Sequence, residues 1–239
     1  MKRPGRLQKH LREVYHRLYA RFGPQGWWPG EGAFEICLGA ILTQNTAWPN
    51  VVKALDNLKA AGAFSPAALR ALPQEELARL LRPAGYFNSK ARKVKAFVEH
   101  LAKYGDDLGA FLSQQAEPLR AELLSLYGIG PETADDIVLY AAHKPTFVVD
   151  AYTVRILQRL GIKPLQETYE GYRALFRDNL PKDIQMYNEY HALLVRLGKS
   201  ICRPRPLCEQ CPLLDLCPTG LSTQGCESQF AAGHQQDHP

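Results

Sequence analysis

The chain has 239 residues, 46% of them hydrophobic and 22% charged, and a net charge of +5. That composition supplies a sizeable core for one large domain or two small ones and excludes an intrinsically disordered chain. No run of about 18 apolar residues occurs, which argues against a membrane span, and the mild positive charge favours a polyanionic partner only weakly.

The N-terminal segment MKRPGRLQKHLREVYHRLYARF is basic but carries neither an apolar stretch nor a serine. Neither a secretory signal nor an organellar presequence is expected, and the location is read as cytoplasmic, at the nucleoid in a bacterium. Within this segment Leu7, Leu11, Val14, Tyr15, Leu18 and Tyr19 recur at helical spacing and predict a helix over 6–22. The turn-rich GPQGWWPGEG ends it. Residues 33–45 (AFEICLGAILTQN) read as a nearly fully buried helix, and Pro49 sits in the first turn of the next one. Ser65 is a natural N-cap before Pro66. PQEELARLL follows, then the loop RPAGYFNSK and a basic helix, ARKVKAFVEHLAKYG. Two more helices flank Gly128-Ile129-Gly130, TVRILQRLG forms another, and residues 169–199 continue helically. Few segments alternate with period two, so the fold class is all-α. Residues 218–239 are polar and aperiodic and read as a disordered tail. Cys226 there is a bystander, and Cys37, on the buried helix, is a core residue.

Three features carry chemistry. In LLSLYGIGPETADD the first helix breaks at Gly128-Ile129-Gly130 and restarts at Pro131. Glycines permit close approach of the backbone, and a helix start presents N–H groups and a positive dipole end, so a phosphodiester fits without any base being read. A plain helical hairpin is the alternative. Asp150 follows the apolar Phe147-Val148-Val149 and precedes a helix. It is placed to cap that helix, and its carboxylate could also stabilise positive charge on a bound sugar. Finally, Cys202, Cys208, Cys211 and Cys217 form a C-x5-C-x2-C-x5-C array in a chain of six cysteines. Four crowded thiols without a signal peptide argue for a metal over disulfides. One tetrahedral zinc and an iron–sulfur cube both remain open, although a single short knuckle with wide flanking gaps suits the larger object. Arg203 and Arg205 alternate with prolines in the first gap, which would present two guanidiniums stiffly, as a phosphate clamp or simply as a solvated loop.

Taken in order, LTQNT, GIGPETAD, VVD and the four-cysteine loop resemble the helix-hairpin-helix DNA glycosylases of the endonuclease III superfamily over roughly residues 25–217. Within it the chain is most similar to 3-methyladenine glycosylases of the MagIII type. WWP at 27–29, FEICLGAILTQNTAW at 34–48, RPAGYFNSKA at 82–91, GIGPETADDIVLYA at 128–141 and VVDAY at 148–152 carry that similarity. The cysteine loop sets it apart from that branch, and its first gap is one residue shorter than in endonuclease III.

The resemblance implies two helical lobes with a DNA cleft between them. Residues 29–140 would form one lobe, residues 1–28 with 141–217 the other, and 218–239 the tail. It also implies a [4Fe-4S] cluster on Cys202, Cys208, Cys211 and Cys217, and a monomer acting on double-stranded DNA. Gly128, Ile129, Gly130, Thr133, Arg203 and Arg205 would contact that DNA. Gln44 would fill the space left by a flipped nucleotide. Strand-cleaving members carry a lysine two residues after the second hairpin glycine, where this chain has Glu132. A carboxylate forms no imine, so hydrolysis without β-lyase chemistry is expected, with the ionised Asp150 as the catalytic residue that stabilises the sugar cation and helps orient a water. Trp27, Trp28 and Trp48, with Tyr86, are the base-pocket candidates, because indole faces attract an N-methylated, cationic purine. Excision of 3-methyladenine is therefore expected. The alternatives are an endonuclease III-like or mismatch uracil/thymine glycosylase, and, outside enzymes, a non-catalytic iron–sulfur DNA-binding module. A pure binder has no use for Asp150.

Overall fold

The computed structural model describes residues 5–222. In chain order its helices are α1 (Arg6–Phe22), α2 (Gly32–Leu42), α3 (Trp48–Ala60), α4 (Pro66–Ala71), α5 (Gln74–Leu80) and α6 (Phe87–Leu101). They continue as α7 (Leu108–Leu112), α8 (Ala116–Leu124), α9 (Pro131–Asp136), α10 (Ala151–Arg159), α11 (Tyr169–Arg177) and α12 (Ile184–Ser200). No strand occurs among the described residues, so the fold is all-α, and none of their helices is long and apolar enough to cross a membrane. The chain divides into two compact units, Trp28–Thr146 and the two flanking stretches, Met1–Trp27 with Phe147–Pro239.

The Trp28–Thr146 unit is organised on α2. That helix is apolar on every side, and all its residues from Glu35 to Leu42 are buried, as a helix without a polar face must be. It packs on α3, on α6 and on the π-helical turn Ile137–Ala141 that extends α9. Glu35, the charged residue in this stretch, is paired with Lys59 at 2.6 Å. Ser65 caps α4 by accepting from the Ala68 N–H at 3.2 Å, as its position before Pro66 predicts. A polar knot of Glu122, His100, Tyr104 and Gln114 supports α8 from beneath.

In the other unit α12 is the central element and packs against α1 and α10. The Tyr190 hydroxyl donates to the Leu11 carbonyl at 2.8 Å, and Phe147 stacks on Phe176 with ring centroids 3.6 Å apart. Tyr152 packs against Gly198, where any Cβ would fall 2.6 Å from its ring.

Four boundaries differ from those read in the sequence. The helix expected over 33–45 ends at Leu42, and Asn45 turns back with φ 53°, which places Gln44 on a turn instead of a buried helix. Helix α6 starts at Phe87, inside the expected loop. The single helix expected over 169–199 is two, because Pro181 offers no N–H and Asp183 caps a new start by accepting from Met186 at 3.0 Å. The tail expected over 218–239 is not irregular at its start. Residues 218–222 form a helical turn anchored by the Thr219 hydroxyl on the Arg159 carbonyl (3.1 Å) and the Gly220 N–H on Cys217 Sγ (3.4 Å). The rest of the expected tail, with Cys226, lies outside the described residues.

Candidate functional site

In the Trp28–Thr146 unit the glycine hairpin is held from three sides. Gly128 adopts φ +77°, a conformation strained for any side chain, and a Cβ there would fall 2.5 Å from Lys93 Cγ. Ile129, in the turn between α8 and α9, is 5% exposed. Gly130 leads into Pro131, and a Cβ on it would meet nothing within 4 Å among the described residues. Behind the turn the buried Asp135 of α9 accepts from Arg120 Nε of α8 at 2.9 Å and from the Thr146 hydroxyl at 2.6 Å. This charged contact fixes the two helices relative to each other.

Gln44 reaches the same place. Its Nε2 donates to the Gly128 carbonyl at 3.2 Å and to Thr133 Oγ1 at 2.9 Å, and its Oε1 accepts from Lys93 Nζ. Gln44 thus joins the Gly128-Ile129-Gly130 turn to Thr133 on the helix that follows. Thr133 itself is buried, and its hydroxyl serves Gln44. Arg92 adds a second cation, 5.3 Å above the half-exposed ring of Tyr127. Glu132 sits exposed on the first turn of α9. Lys93 and Arg92 belong to the basic helix, but neither was singled out from the sequence, since linear order does not say which turn of α6 faces the hairpin.

The same unit holds the aromatic cluster. Trp28 and Trp48 meet edge to face with centroids 5.3 Å apart, and Trp28 lies 5.2 Å from Tyr140. Gly39 of α2 makes room for both indoles, because a Cβ on it would crowd them at 3.2–3.3 Å. Both indoles are half-buried, so each retains surface beyond its packing. Trp27 belongs to the flanking unit, with Lys199 Nζ 5.8 Å from its ring. Tyr86 is 72% exposed at φ 45°, and no ring contact joins it to Trp28 or Trp48.

In the flanking unit Asp150 caps α10, its Oδ1 accepting from the Thr153 N–H at 2.7 Å. Its Oδ2 stands 3.8 Å from Nε2 of the buried His191, on α12. Burial alone would raise the carboxyl's pKa. His191 and the Thr153 contacts outweigh it and leave Asp150 below the usual carboxylate range, hence ionised at neutral pH. The sequence identified the cap, but nothing in it tied His191, 41 positions on, to this carboxylate.

The four cysteines line one hollow below α12, together with Arg159, Ile201, Pro206 and Leu214. It encloses about 310 Å³ of atom-free space, part of it open to solvent. Burial, reinforced by the neighbouring thiols, pushes Cys211 up to about 11, and burial raises Cys217 too. Among the described residues no three of His, Cys, Asp or Glu close to the spacing of one bound ion. Four sulfurs around one apolar hollow are a donor set that fits a thiolate-bound metal centre. Arg159 braces the loop by donating to Cys202 Sγ at 3.1 Å, to the Arg203 carbonyl at 2.8 Å and to the Pro204 carbonyl at 3.1 Å. Arg203 and Arg205 are both exposed on that braced loop, so its stiffness comes from Arg159 as well as from the prolines.

Comparison with known proteins gives three results. Residues 38–182 match the model of the HhH-GPD superfamily, base excision DNA repair proteins. A protein of Methanocaldococcus jannaschii, provisionally named a DNA repair glycosylase, is 42% identical over 207 residues, covering 86% of this chain and 94% of its own length. Among solved structures, the Helicobacter pylori 3-methyladenine DNA glycosylase MagIII bound to 1,N6-ethenoadenine superposes with a TM-score of 0.70 at 28% identity, covering 81% of this chain and 97% of that one. A trapped endonuclease III–DNA covalent intermediate superposes with a TM-score of 0.78 at 24% identity, covering 91% and 98%, and so shares the fold.

Proposed function

The chain belongs to the HhH-GPD superfamily of base excision DNA repair proteins and is a DNA glycosylase, and from this premise we propose that it hydrolyses the N-glycosidic bond of alkylated purines, chiefly 3-methyladenine, without cutting the strand. The observation that carries the chemistry is Asp150, ionised, held by the Thr153 N–H and facing His191 at 3.8 Å. A fixed carboxylate of this kind stabilises the positive charge that develops on the sugar as the base departs, and can orient the attacking water. An N-methylated purine is itself cationic and a good leaving group, so it needs no strong general acid. The half-buried Trp28–Trp48 pair supplies indole surface that attracts such a base. The similarity to MagIII supports the same substrate class.

Glu132 occupies the hairpin position at which a lysine would attack the sugar, and a carboxylate there forms no imine. Strand cleavage is accordingly weak or absent. DNA is the partner, bound by a monomer through the hairpin backbone, Gln44 and the loop guanidiniums of Arg203 and Arg205. Cys202, Cys208, Cys211 and Cys217, which line one hollow, would hold a [4Fe-4S] cluster.

The test is a panel of duplexes, each with one lesion: 3-methyladenine, ethenoadenine, uracil, a G·T mispair and an oxidised pyrimidine. Excision of the alkylated purines, with breaks seen only after alkali, is the expected outcome. Preferential release of uracil or thymine would move the chain to the mismatch glycosylases, and efficient borohydride trapping of the wild-type protein on DNA would overturn the role given to Glu132.

A further inference from the structure

Lys93 is a cation in an unusual setting. Its aliphatic stem lies across Gly128, in the space a side chain there would fill, so its ammonium is delivered to the rim of the hairpin. What it meets is neutral: the Oε1 of Gln44. Among the described residues no carboxylate pairs with it, and burial lowers its pKa, the sign of a charge that has lost water without gaining an anion. Its neighbour Lys90 differs in being wholly buried, with Nζ spent on the Ala84 carbonyl at 2.7 Å, which is a structural use. Lys93 is half-buried and keeps a path to solvent.

A partly desolvated ammonium with only an amide oxygen for company gains most from an anion. The only polyanion the proposed function brings to this hairpin is the sugar-phosphate strand. We propose that Lys93 is a phosphate-binding residue of the hairpin. On duplex DNA its ammonium leaves Gln44 Oε1 for a phosphodiester oxygen and releases that end of the Gln44 amide. Both amide hydrogens of Gln44 are already given to Gly128 and Thr133, so Oε1 is the group that the exchange frees. Strand binding and the availability of Gln44 are thereby coupled through one lysine. This inference rests on the glycosylase function proposed above.

The experiment measures affinity for a short undamaged duplex as salt is raised from about 50 to 200 mM, for the wild type, Lys93→Met, Lys93→Arg and Gln44→Ala. Methionine keeps the stem over Gly128 and removes only the charge. Losing one phosphate contact should reduce the slope of log affinity against log salt by about 0.9, so the affinity lost across that range shrinks by about threefold. Lys93→Arg should restore the wild-type slope and Gln44→Ala should leave it unchanged. If Lys93→Met loses helicity, the comparison passes to Lys93→Gln, which is neutral but polar. An unaltered slope in the folded neutral variant refutes the phosphate contact. A wild type whose duplex binding does not depend on salt would instead refute the proposed function, so the two failures are distinguishable.

Discussion

Replacing Gly128 with alanine separates the hairpin's two glycines. At φ +77° a Cβ costs about 1–2 kcal/mol in backbone strain. It would also fall 2.5, 2.7 and 2.7 Å from Lys93 Cγ, Cδ and Cε, an overlap of the kind that costs about 1–3 kcal/mol if the core holds its place. The expected loss is therefore about 2–5 kcal/mol, or a fall in Tm on the order of 10 °C for a chain of this size. Gly130→Ala has neither penalty, since φ is −91° and no described atom lies within 4 Å of the new methyl group. Its Tm should match the wild type within about 2 °C, while its affinity for duplex DNA falls about tenfold because the methyl group stands where a phosphodiester must approach. The assay is thermal unfolding followed by helicity, with duplex titration on the same samples. Shortening Lys93 to alanine in the Gly128→Ala background should recover part of the lost stability, a non-additivity specific to this contact. Equal stability of the two glycine variants, or no recovery in the double variant, would sink the account of the hairpin.

Asp150→Asn retains an N-cap for α10, so the fold and duplex affinity should persist while excision falls about 10²–10³-fold, as measured in single-turnover assays. Because the Asp150 pKa lies below the usual carboxylate range, no acid limb from this group should appear in the excision rate until the pH is below that range; an earlier break would contradict it. Glu122 is pushed up by burial, but Gln114, Tyr104 and His100 outweigh this and hold it below the ordinary glutamate value. Its stabilisation is complete above the unfolded-state value and lost as pH falls through the folded one, so Glu122→Gln should cost about 1–3 kcal/mol at neutral pH and progressively less in acid. A denaturation series over pH checks this, and a pH-independent difference would exclude it. Cys211→Ser should lower the metal content and destabilise α12 and the loop after it. Purified wild-type protein should contain about four irons per chain, and one zinc instead would reverse the assignment.

Most helices were legible in the sequence, because periodicity, capping residues and prolines act over a few positions. Leu7 to Tyr19 set out α1, Ser65 and Pro66 the start of α4, and Asp150 the start of α10. The glycine hairpin and the cysteine array were legible for the same reason, since each is a contiguous segment with an unusual backbone or ligand requirement. Pro181 was the missed local signal; apolar spacing on both sides of it concealed the break between α11 and α12. The pairings that turn these elements into a site were not legible. Gln44 meets Thr133 across 89 positions, Lys93 lies on Gly128, His191 faces Asp150, and Arg159 holds Cys202. That Trp28 and Trp48 share the space at Gly39 was not legible either. Chain-local rules define what each helix is, but which turn of it meets which neighbour follows from how buried faces pack, and that was decided only by the tertiary structure.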